Sequence, residues 1–230
     1  MKVSFILVEP AVPENVGAAA RAIKTMGFNN LRLVNPCDHL DIKARMLAHA
    51  SNDILENATV YQSLKEAITD VDFVFATSAK QRWVKLDIVP CNEIVDFINK
   101  KENTVSSIAI VFGREESGLT NEEIALCHRV SHVPLKTQYP SLNLAQSVMI
   151  YAYTLSVLNI ELETNNSKTQ NPDSLKALII KVQSILNAID LGPDKLINGR
   201  IIERITELGT EDIKLLHSLS SALISKIEKP

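Results

Sequence analysis

Short apolar runs alternate with helical stretches along the first two thirds of the chain. The runs are rich in β-branched and aromatic residues and comprise Val3–Val8, Leu31–Val34, Asp72–Ala76, Ile108–Phe112 and Arg129–Val133. Amphipathic or small-residue stretches separate them, namely Glu14–Met26, Ile42–Ala48, Leu64–Ile68, Asn92–Lys101 and Asn121–Cys127. Strands that alternate with helices pair in parallel, because each helix carries the chain back to the starting edge of the sheet. The pattern therefore predicts an α/β fold with a mostly parallel sheet covered on both faces.

A polar stretch divides the remainder of the chain. Leu144–Leu162 predicts one long apolar helix, whereas residues 163–173 are rich in Asn, Ser and Thr and are typical of a linker. Helical periodicity then resumes in three segments, Ser174–Ile189, Asn198–Leu208 and Glu211–Ile227. We therefore expect a main domain at 1–163, a linker at 164–172 and a small α-helical C-terminal extension at 173–230.

The charge balance limits which partners the chain can bind. Its formal net charge is −3 at pH 7, which argues against a generally basic nucleic-acid-binding protein. RNA, if it binds, must meet a local basic patch. Lys80, Arg82 and Lys85 are the candidates, although simple solvated surface charge is the more ordinary interpretation of these residues.

Targeting, redox and metal signals are weak. No signal peptide is evident, and the longest apolar stretch, Val148–Ile160, falls short of the ~20 residues that span a bilayer. A cytoplasmic protein is the expectation. The three cysteines are widely spaced and suggest no disulfide framework. Cys127, His128 and His132 offer too few ligands for a structural zinc site, so we expect no metal.

The first candidate functional segment follows the first strand. Pro13 suits the first turn of a helix, and the small residues of Gly17–Ala20 permit close approach by backbone or ligand. Asn15 and Arg21 are the polar groups among these small residues. A tightly packed surface helix would have the same composition.

The second segment is Ile108–Thr120, where an apolar strand ends at Gly113 and the carboxylate of Glu115 follows. Ligands of open α/β sheets bind outside the carboxyl ends of strands, and this turn lies there. Gly113 and Gly118 have the spacing of a P-loop, but Leu119 stands where its lysine is required. The chain also lacks a G-x-G-x-x-G sequence, which disfavours a dinucleotide-dependent dehydrogenase.

The third segment, Val133–Ser147, passes from a strand through Pro134 and a polar loop into the apolar helix. Either Ser141 or Asn143 can cap that helix. A helix N-terminus also presents free N–H groups to an anionic group, so a capping and a binding role are compatible.

Taken together, these segments resemble the SpoU branch of the trefoil-knotted (SPOUT) RNA methyltransferases. The family's first motif, Asn-x-Gly with an Arg six residues after the Asn, is matched by Asn15, Gly17 and Arg21. The second, Phe-Gly-x-Glu-x-x-Gly-Leu, is matched by Phe112, Gly113, Glu115, Gly118 and Leu119. The third is matched by Val133, Pro134, Ser141, Leu142 and Asn143. Their order and spacing also agree with the family.

A finer resemblance points to the TrmJ subgroup. Val8–Phe28, residues 141–146 and the helical extension are similar to that subgroup, whereas the region of Lys80, Arg82 and Lys85 departs from its arginine-rich loop. The resemblance implies 2′-O-methylation of cytidine or uridine at nucleotide 32 of the tRNA anticodon loop. Ribosomal RNA, another tRNA position, and a non-catalytic RNA-binding module remain alternatives.

The resemblance also implies a site. It implies a C-terminal trefoil knot in the domain, a homodimer, and S-adenosyl-L-methionine as cofactor. The implied catalytic residues are Arg21, Asn15, Glu115, Ser141 and Asn143. The implied cofactor-binding residues are Thr77, Ser78, Ala79, Gly113, Arg114, Glu115, Val133, Pro134, Ser141, Leu142, Asn143 and Leu144. A guanidinium stays protonated in proteins, which favours Arg21 as a stabiliser of phosphate or developing alkoxide over Arg21 as a base.

Overall fold

The computed structural model describes residues 1–79, 88–101, 104–136, 141–160 and 174–227. The chain divides into two compact units. The first consists of Met1–Val95 and Ser107–Asn166, and the second of Asp96–Ser106 and Ser167–Pro230.

Within the described residues, seven parallel strands form the single sheet of the first unit, in the order β3-β2-β1-β6-β4-β7-β5. The strands are β1 (Lys2–Val8), β2 (Leu31–Val34), β3 (Thr59–Tyr61), β4 (Phe73–Thr77), β5 (Ile88–Pro90), β6 (Ser107–Phe112) and β7 (Arg129–His132). The inner strands are buried almost throughout, which explains why their sequences are continuous apolar runs. The predicted α/β fold with a parallel sheet is confirmed.

Sequence patterning missed the two edge strands. β3 and β5 are three residues long and partly exposed, so neither shows a buried run or a clear alternation. Pro90 in β5 lacks a backbone N–H, which an edge strand tolerates because one of its sides makes no ladder hydrogen bonds.

Helices cover both faces of the sheet. Those of the first unit are α1 (Pro13–Thr25), α2 (Ile42–Ala48), α3 (Asn52–Glu56), α4 (Leu64–Ala67), α5 (Ile94–Asn99, which continues into the second unit), α6 (Asn121–Ala125), α7 (Leu144–Leu155) and α8 (Val157–Ile160). Ile6 and Val8 pack in one cluster with Leu64 of α4 and Ile124 of α6. On β6, the Phe112 ring meets the Tyr151 ring of α7 edge-on, with 5.5 Å between centroids.

One helix differs from its prediction, and one close helix contact agrees with it. The single helix predicted over Leu144–Leu162 is wrong, because the structure ends α7 at Leu155 and restarts with α8 at Val157. The Ser156 hydroxyl donates to the carbonyl of Tyr153 at 2.7 Å, a local bond that competes with helix continuation. On α1, a Cβ at Gly17 would lie 2.0 Å from the Ala44 carbonyl oxygen, so only glycine permits the contact with α2.

The sheet order determines where loops gather. β1, β6, β4 and β7 are successive neighbours and all parallel, so the loops that follow them emerge side by side at one edge. These loops begin at Glu9, Gly113, Ser78 and Val133. Glu9 has a φ of 46°, a left-handed conformation that turns the chain sharply out of β1.

The second unit is helical. It contains α9 (Leu175–Ala188), α10 (Leu196–Ile205) and α11 (Thr210–Ile227), which confirms the predicted α-helical extension. It also includes residues 96–106. Buried Lys101 donates to the Leu208 carbonyl at 2.8 Å and accepts from the Thr210 hydroxyl at 3.3 Å through its own carbonyl. The predicted linker, 164–172, lies outside the described residues, as do residues 80–87 and 137–140. The C-terminal knot stays a prediction. None of the described helices combines the length and apolar composition needed to cross a bilayer.

The Arg32–Asp70 pair generates a stability prediction. The buried Arg32 guanidinium donates to the Ala67 carbonyl at 2.6 Å and to the Asp70 carboxylate at 2.8 Å. The hydrogen bond from Arg32 holds the pKa of Asp70 below its ordinary value. We expect Asp70→Asn to lower the free energy of unfolding by about 1–2 kcal/mol at pH 7, measured by urea titration, since a charged hydrogen bond to a buried group is lost.

The pH dependence and a matched control test this assignment. A carboxylate with a depressed folded-state pKa stabilises the protein above its unfolded-state pKa and loses that effect as pH falls through the folded-state value. The difference between Asp70→Asn and the original chain should therefore shrink on acidification below pH ~4. Glu56→Gln removes the exposed partner of Arg45 and should cost less than about 0.5 kcal/mol. Equal losses in the two variants would contradict the prediction.

Candidate active site

A cavity of about 450 Å³ opens at the loop-bearing edge of the sheet, within the size range of small-molecule sites. Its walls come from the loops after β1, β4, β6 and β7 and from the first turns of α7. The lining residues are Val12, Asn15, Thr77, Ser78, Ala79, Phe112, Gly113, Arg114, Glu115, Glu116, Ser117, Gly118, Leu119, Ile124, Val133, Leu135, Ser141, Leu142, Asn143, Leu144, Ser147 and Tyr151. All the predicted cofactor-binding residues except Pro134 are among them.

Three predicted catalytic residues form a hydrogen-bonded chain across this cavity. The Glu115 carboxylate accepts from the Asn15 side chain at 3.1 Å. The Asn15 carbonyl oxygen in turn accepts from the Asn143 side-chain amide at 2.9 Å. These residues are about a hundred positions or more apart in sequence, yet their side chains are in direct contact. The structure thus joins one residue from each of the three sequence motifs.

Glu115 is an anchor for the loop after β1. Its carboxylate also accepts from the backbone N–H groups of Ala11 at 3.1 Å and Val12 at 3.3 Å. Partial burial opposes the charge, but the hydrogen bonds from Asn15, Ala11 and Val12 outweigh it and hold the pKa of Glu115 below its ordinary value. The group is ionised at neutral pH, and its acceptor positions are occupied by N–H donors, so positioning suits it better than proton abstraction.

Of the two candidate caps of α7, Asn143 is the one used. Its side-chain oxygen accepts from the Ala145 N–H at 2.8 Å, and the Gln146 side chain accepts from the Asn143 N–H at 3.1 Å. This reciprocal capping box orients the first turn of α7. Ser141 lies two residues earlier and lines the cavity. Asn143 therefore caps a helix and contacts Asn15 with the same side chain.

Two aromatic residues lie at the cavity, of which Phe112 belongs to the second sequence motif and Tyr151 was missed by sequence reasoning. Phe112 and Tyr151 both line the cavity. Tyr151 is buried and donates to the Ser131 hydroxyl at 2.9 Å, and burial raises the pKa of its phenol. Helical periodicity contained a signal, since Tyr151 follows the lining residue Leu144 by two turns of α7. The two buried rings meet edge-on at the cavity.

Arg114 lines the cavity, but its charge is directed to carboxylates. The guanidinium donates to Glu123 through two bonds of 3.0 Å and to Glu9 at 2.8 Å. The hydrogen bonds that Arg114 donates to Glu123 and Glu9 raise the pKa of its guanidinium. Its side chain thus joins the loop after β6 to the end of β1 and to α6, rather than projecting a free charge into the cavity.

Arg21 is placed differently from the other predicted catalytic residues. It is exposed on α1 and does not line the cavity. Lys80, Arg82 and Lys85 lie outside the described residues. Within the described part of the chain, no cluster of three His, Cys, Asp or Glu side chains is placed to hold a metal ion. His128 instead accepts from the Val74 N–H at 3.0 Å, which binds the start of β7 to β4.

Comparison with known families decides the affiliation. Residues 2–153 match the SpoU rRNA Methylase family, and residues 172–227 match the C-terminal domain of the tRNA/rRNA methyltransferase LasT. The chain belongs to the SpoU methylase family. This membership confirms the predicted resemblance and enzyme class, an RNA methyltransferase that uses S-adenosylmethionine.

Relatives of this SpoU methylase align along its whole length. It is 40% identical over 229 residues to the uncharacterized tRNA/rRNA methyltransferase LasT of Escherichia coli, with all of both chains covered. It is 33% identical to the tRNA (cytidine/uridine-2′-O-)-methyltransferase TrmJ of Photorhabdus laumondii, over 99% of this chain and 97% of the relative. The crystal structure of TrmJ from Z. mobilis superposes with a TM-score of 0.67 at 28% identity, covering 97% of this chain and 99% of the other.

The anchoring role of Glu115 is testable through stability. A Glu115→Gln variant keeps the size of the side chain, but its NH₂ group would face a backbone N–H donor in place of an acceptor oxygen. We expect the free energy of unfolding to fall by about 1–2 kcal/mol at pH 7 in urea titrations. Because the folded-state pKa of Glu115 is depressed, the loss should fade as pH falls through that pKa.

The neighbouring carboxylate supplies the control. Glu116 is exposed and makes no hydrogen bond with the described residues, so Glu116→Gln removes the same charge without removing an anchor. Its free energy of unfolding should change by less than about 0.5 kcal/mol. A Glu115→Gln variant as stable as Glu116→Gln would show that the loop after β1 does not depend on the carboxylate.

Proposed function

We propose that this SpoU methylase transfers the methyl group of S-adenosylmethionine to the ribose 2′-hydroxyl of cytidine or uridine at position 32 of the tRNA anticodon loop. The observation that carries the proposal is the contact of Asn15, Glu115 and Asn143 at one cavity. The TrmJ relatives, whose activity is tRNA cytidine/uridine 2′-O-methylation, support the substrate. A cytoplasmic location, where tRNA is modified, is part of the proposal.

The cavity fits the cofactor by size and chemistry. A Cβ at Gly113 would lie 2.2 Å from the Gly118 carbonyl carbon and the Leu119 nitrogen, so the loop closes in a ring that only glycine allows. Backbone groups and small side chains at Thr77–Ala79, at Gly113 and at Leu142–Leu144 would hold the adenosine and amino-acid parts. When bound, S-adenosylmethionine supplies an electrophilic methyl group.

The residues of the chain must then align and activate the ribose hydroxyl. A bimolecular methyl transfer gains most from fixing the oxygen in line with the methyl carbon, which is a task of positioning. Asn15 and Asn143 are suited to it, since their amides are oriented by the bonds to Glu115 and to the first turn of α7. A cation near the 2′-oxygen would stabilise the charge that develops as the hydroxyl proton passes to solvent water and the oxygen takes the methyl group, the sulfonium of the cofactor becoming a thioether.

Arg21 is the cation we assign to that task, and we propose that a second copy of the chain delivers it. Arg21 is exposed and does not line the cavity of its own chain. α1 packs against α7, and Tyr153 of α7 and Val157 of α8 are 68% and 46% exposed. These apolar side chains support a homodimer through the α7 region. In this arrangement Arg21 of one copy serves the cavity of the other.

The substrate assignment has a direct test. Mass-spectrometric mapping of ribose methylation in tRNA from cells that lack the protein should show loss of the 2′-O-methyl group at position 32 and its return on complementation. Purified protein should methylate the corresponding unmodified tRNA with tritiated S-adenosylmethionine. Methylation of ribosomal RNA alone would show that ribosomal RNA, and not tRNA, is the substrate. No transfer to any RNA would indicate a non-catalytic binding module.

Substitution of Arg21 should affect turnover and cofactor binding differently. We expect Arg21→Ala to reduce kcat at least ~100-fold, as loss of an oxyanion-stabilising donor does, while the Kd for S-adenosylmethionine measured by calorimetry stays within about threefold. Lys24→Ala, which removes an exposed cation of α1 paired with Asp53, should retain activity. A loss of cofactor affinity in Arg21→Ala would reassign the residue to cofactor binding.

A mixing experiment tests delivery of Arg21 across the dimer. Arg21→Ala and Asn143→Ala are each expected to be inactive as homodimers. Unfolded and refolded together, they should recover up to about a quarter of the original activity, because half of the statistical mixture is heterodimer with one intact site in two. No recovery, or a stable monomer in sedimentation at micromolar concentration, would overturn the shared-site arrangement.

A further inference from the structure

Two successive residues, Arg114 and Glu115, fasten the loop after β6 to the loop after β1. Glu115 accepts from the N–H groups of Ala11 and Val12. Arg114 donates through Nε to the Glu9 carboxylate at 2.8 Å. Glu9 has a φ of 46°, so a left-handed residue turns the chain where its side chain meets Arg114. The two loops that line the cavity are therefore joined by oppositely charged side chains in succession.

The other side of the Arg114 guanidinium is held by α6. Its Nη1 and Nη2 atoms each donate to one oxygen of Glu123 at 3.0 Å. Glu123 is itself held in place, because it accepts from the Thr120 N–H at 2.7 Å in the capping box of α6. Both side chains are largely shielded from solvent, at 23% and 17% exposure. The pair is thus a bidentate contact between preordered groups.

Arg114 also closes its own turn. Its carbonyl accepts from the Gly118 N–H at 2.9 Å, and Nη1 approaches the Gly118 carbonyl at 3.4 Å. Gly118 has a φ of 70°, a conformation that a glycine adopts without strain. Counting the bonds to Glu9, Glu123 and Gly118, four of the five guanidinium N–H groups are used. Little donor capacity remains for a ligand.

We propose that Arg114 is a positioning residue, which holds loop 113–118 in its cofactor-binding shape through Glu9 and Glu123 and does not itself bind the cofactor. This inference rests on the proposed function and gives the Arg114 side chain a role other than the cofactor binding that the resemblance implies for this residue. A loop that is already ordered loses less conformational entropy when the ligand binds, and the saved free energy appears as affinity. A planar guanidinium fork is required, because an ammonium group cannot make the bidentate contact.

Calorimetry with two ligands distinguishes positioning from direct contact. The full-length chain is titrated with S-adenosylhomocysteine and with 5′-methylthioadenosine, which lacks the amino-acid carboxylate. Arg114→Met should weaken both ligands by the same factor, tenfold or more, and Arg114→Lys should do so by a smaller common factor. The kcat at saturating cofactor should change less than threefold. Selective weakening of S-adenosylhomocysteine would mean that Arg114 contacts the ligand carboxylate, and would overturn the proposal.

Control variants test whether the effect is specific to Arg114 and whether it depends on Glu123. Arg45→Met removes an arginine with a comparable carboxylate and carbonyl pairing, to Glu56 and Leu40, and should leave both affinities unchanged. Glu123→Gln should weaken both ligands like Arg114→Met, and the double variant should be no weaker than Arg114→Met alone, as expected for residues acting as one unit. Additive losses would show that the two residues act separately. If Arg114→Met does not fold, the Arg114→Lys ratio for the two ligands decides the question.

A ligand-free measurement separates this proposal from the proposed function. Amide hydrogen exchange of residues 113–118 should accelerate at least tenfold in Arg114→Met and Glu123→Gln, and remain unchanged in Arg45→Met. Unchanged exchange in the first two variants would overturn the positioning role even if cofactor binding is normal. An original chain that binds neither ligand would overturn the proposed function, while accelerated exchange would still show that Arg114 orders the loop.

Discussion

The arrangement of the site depends on one carboxylate. Three N–H donors, from Ala11, Val12 and Asn15, converge on Glu115, and without that negative charge these donors would lose their acceptor on the loop after β6. Because Asn15 also contacts Asn143, the position of the α7 N-terminus is linked to the same group. The parallel sheet brings these loops to one edge, and the carboxylate fixes how they meet.

The charged side chains around the cavity mostly pair with other groups of the protein. Among the described lining residues, Arg114 carries the only positive charge, and it is engaged by Glu9 and Glu123. The Glu115 carboxylate is engaged by amides. What the cavity presents to a ligand is therefore backbone, small and aliphatic side chains, the Phe112 and Tyr151 rings and the Glu116 carboxylate, a surface suited to shape recognition and alignment. Methyl transfer demands little more than alignment from its site, provided that a cation is supplied at the oxygen.

Sequence reasoning succeeded where the structural position of a residue requires a particular residue type. The inner strands were predicted because burial on both faces demands continuous apolar runs. The lining loops were predicted from Gly113, Glu115, Ser141 and Asn143, residue types that a tight turn or a helix cap requires. Edge strands β3 and β5 were missed because they are short and half-exposed. The break at Ser156 was missed because it rests on one hydroxyl bond within an apolar stretch.

The sequence by itself determined the α/β class, the three motifs and the enzyme family, since each depends on residue types at fixed local spacing. Only the tertiary structure decided what those residues do to one another. It showed Asn143 as both cap and partner of Asn15, Arg114 as a bridge between carboxylates, Arg21 away from its own cavity, and residues 96–106 in the helical unit. The reason is physical: hydrogen bonds and ion pairs between residues about a hundred positions apart depend on angstrom-scale distances, which local spacing does not encode.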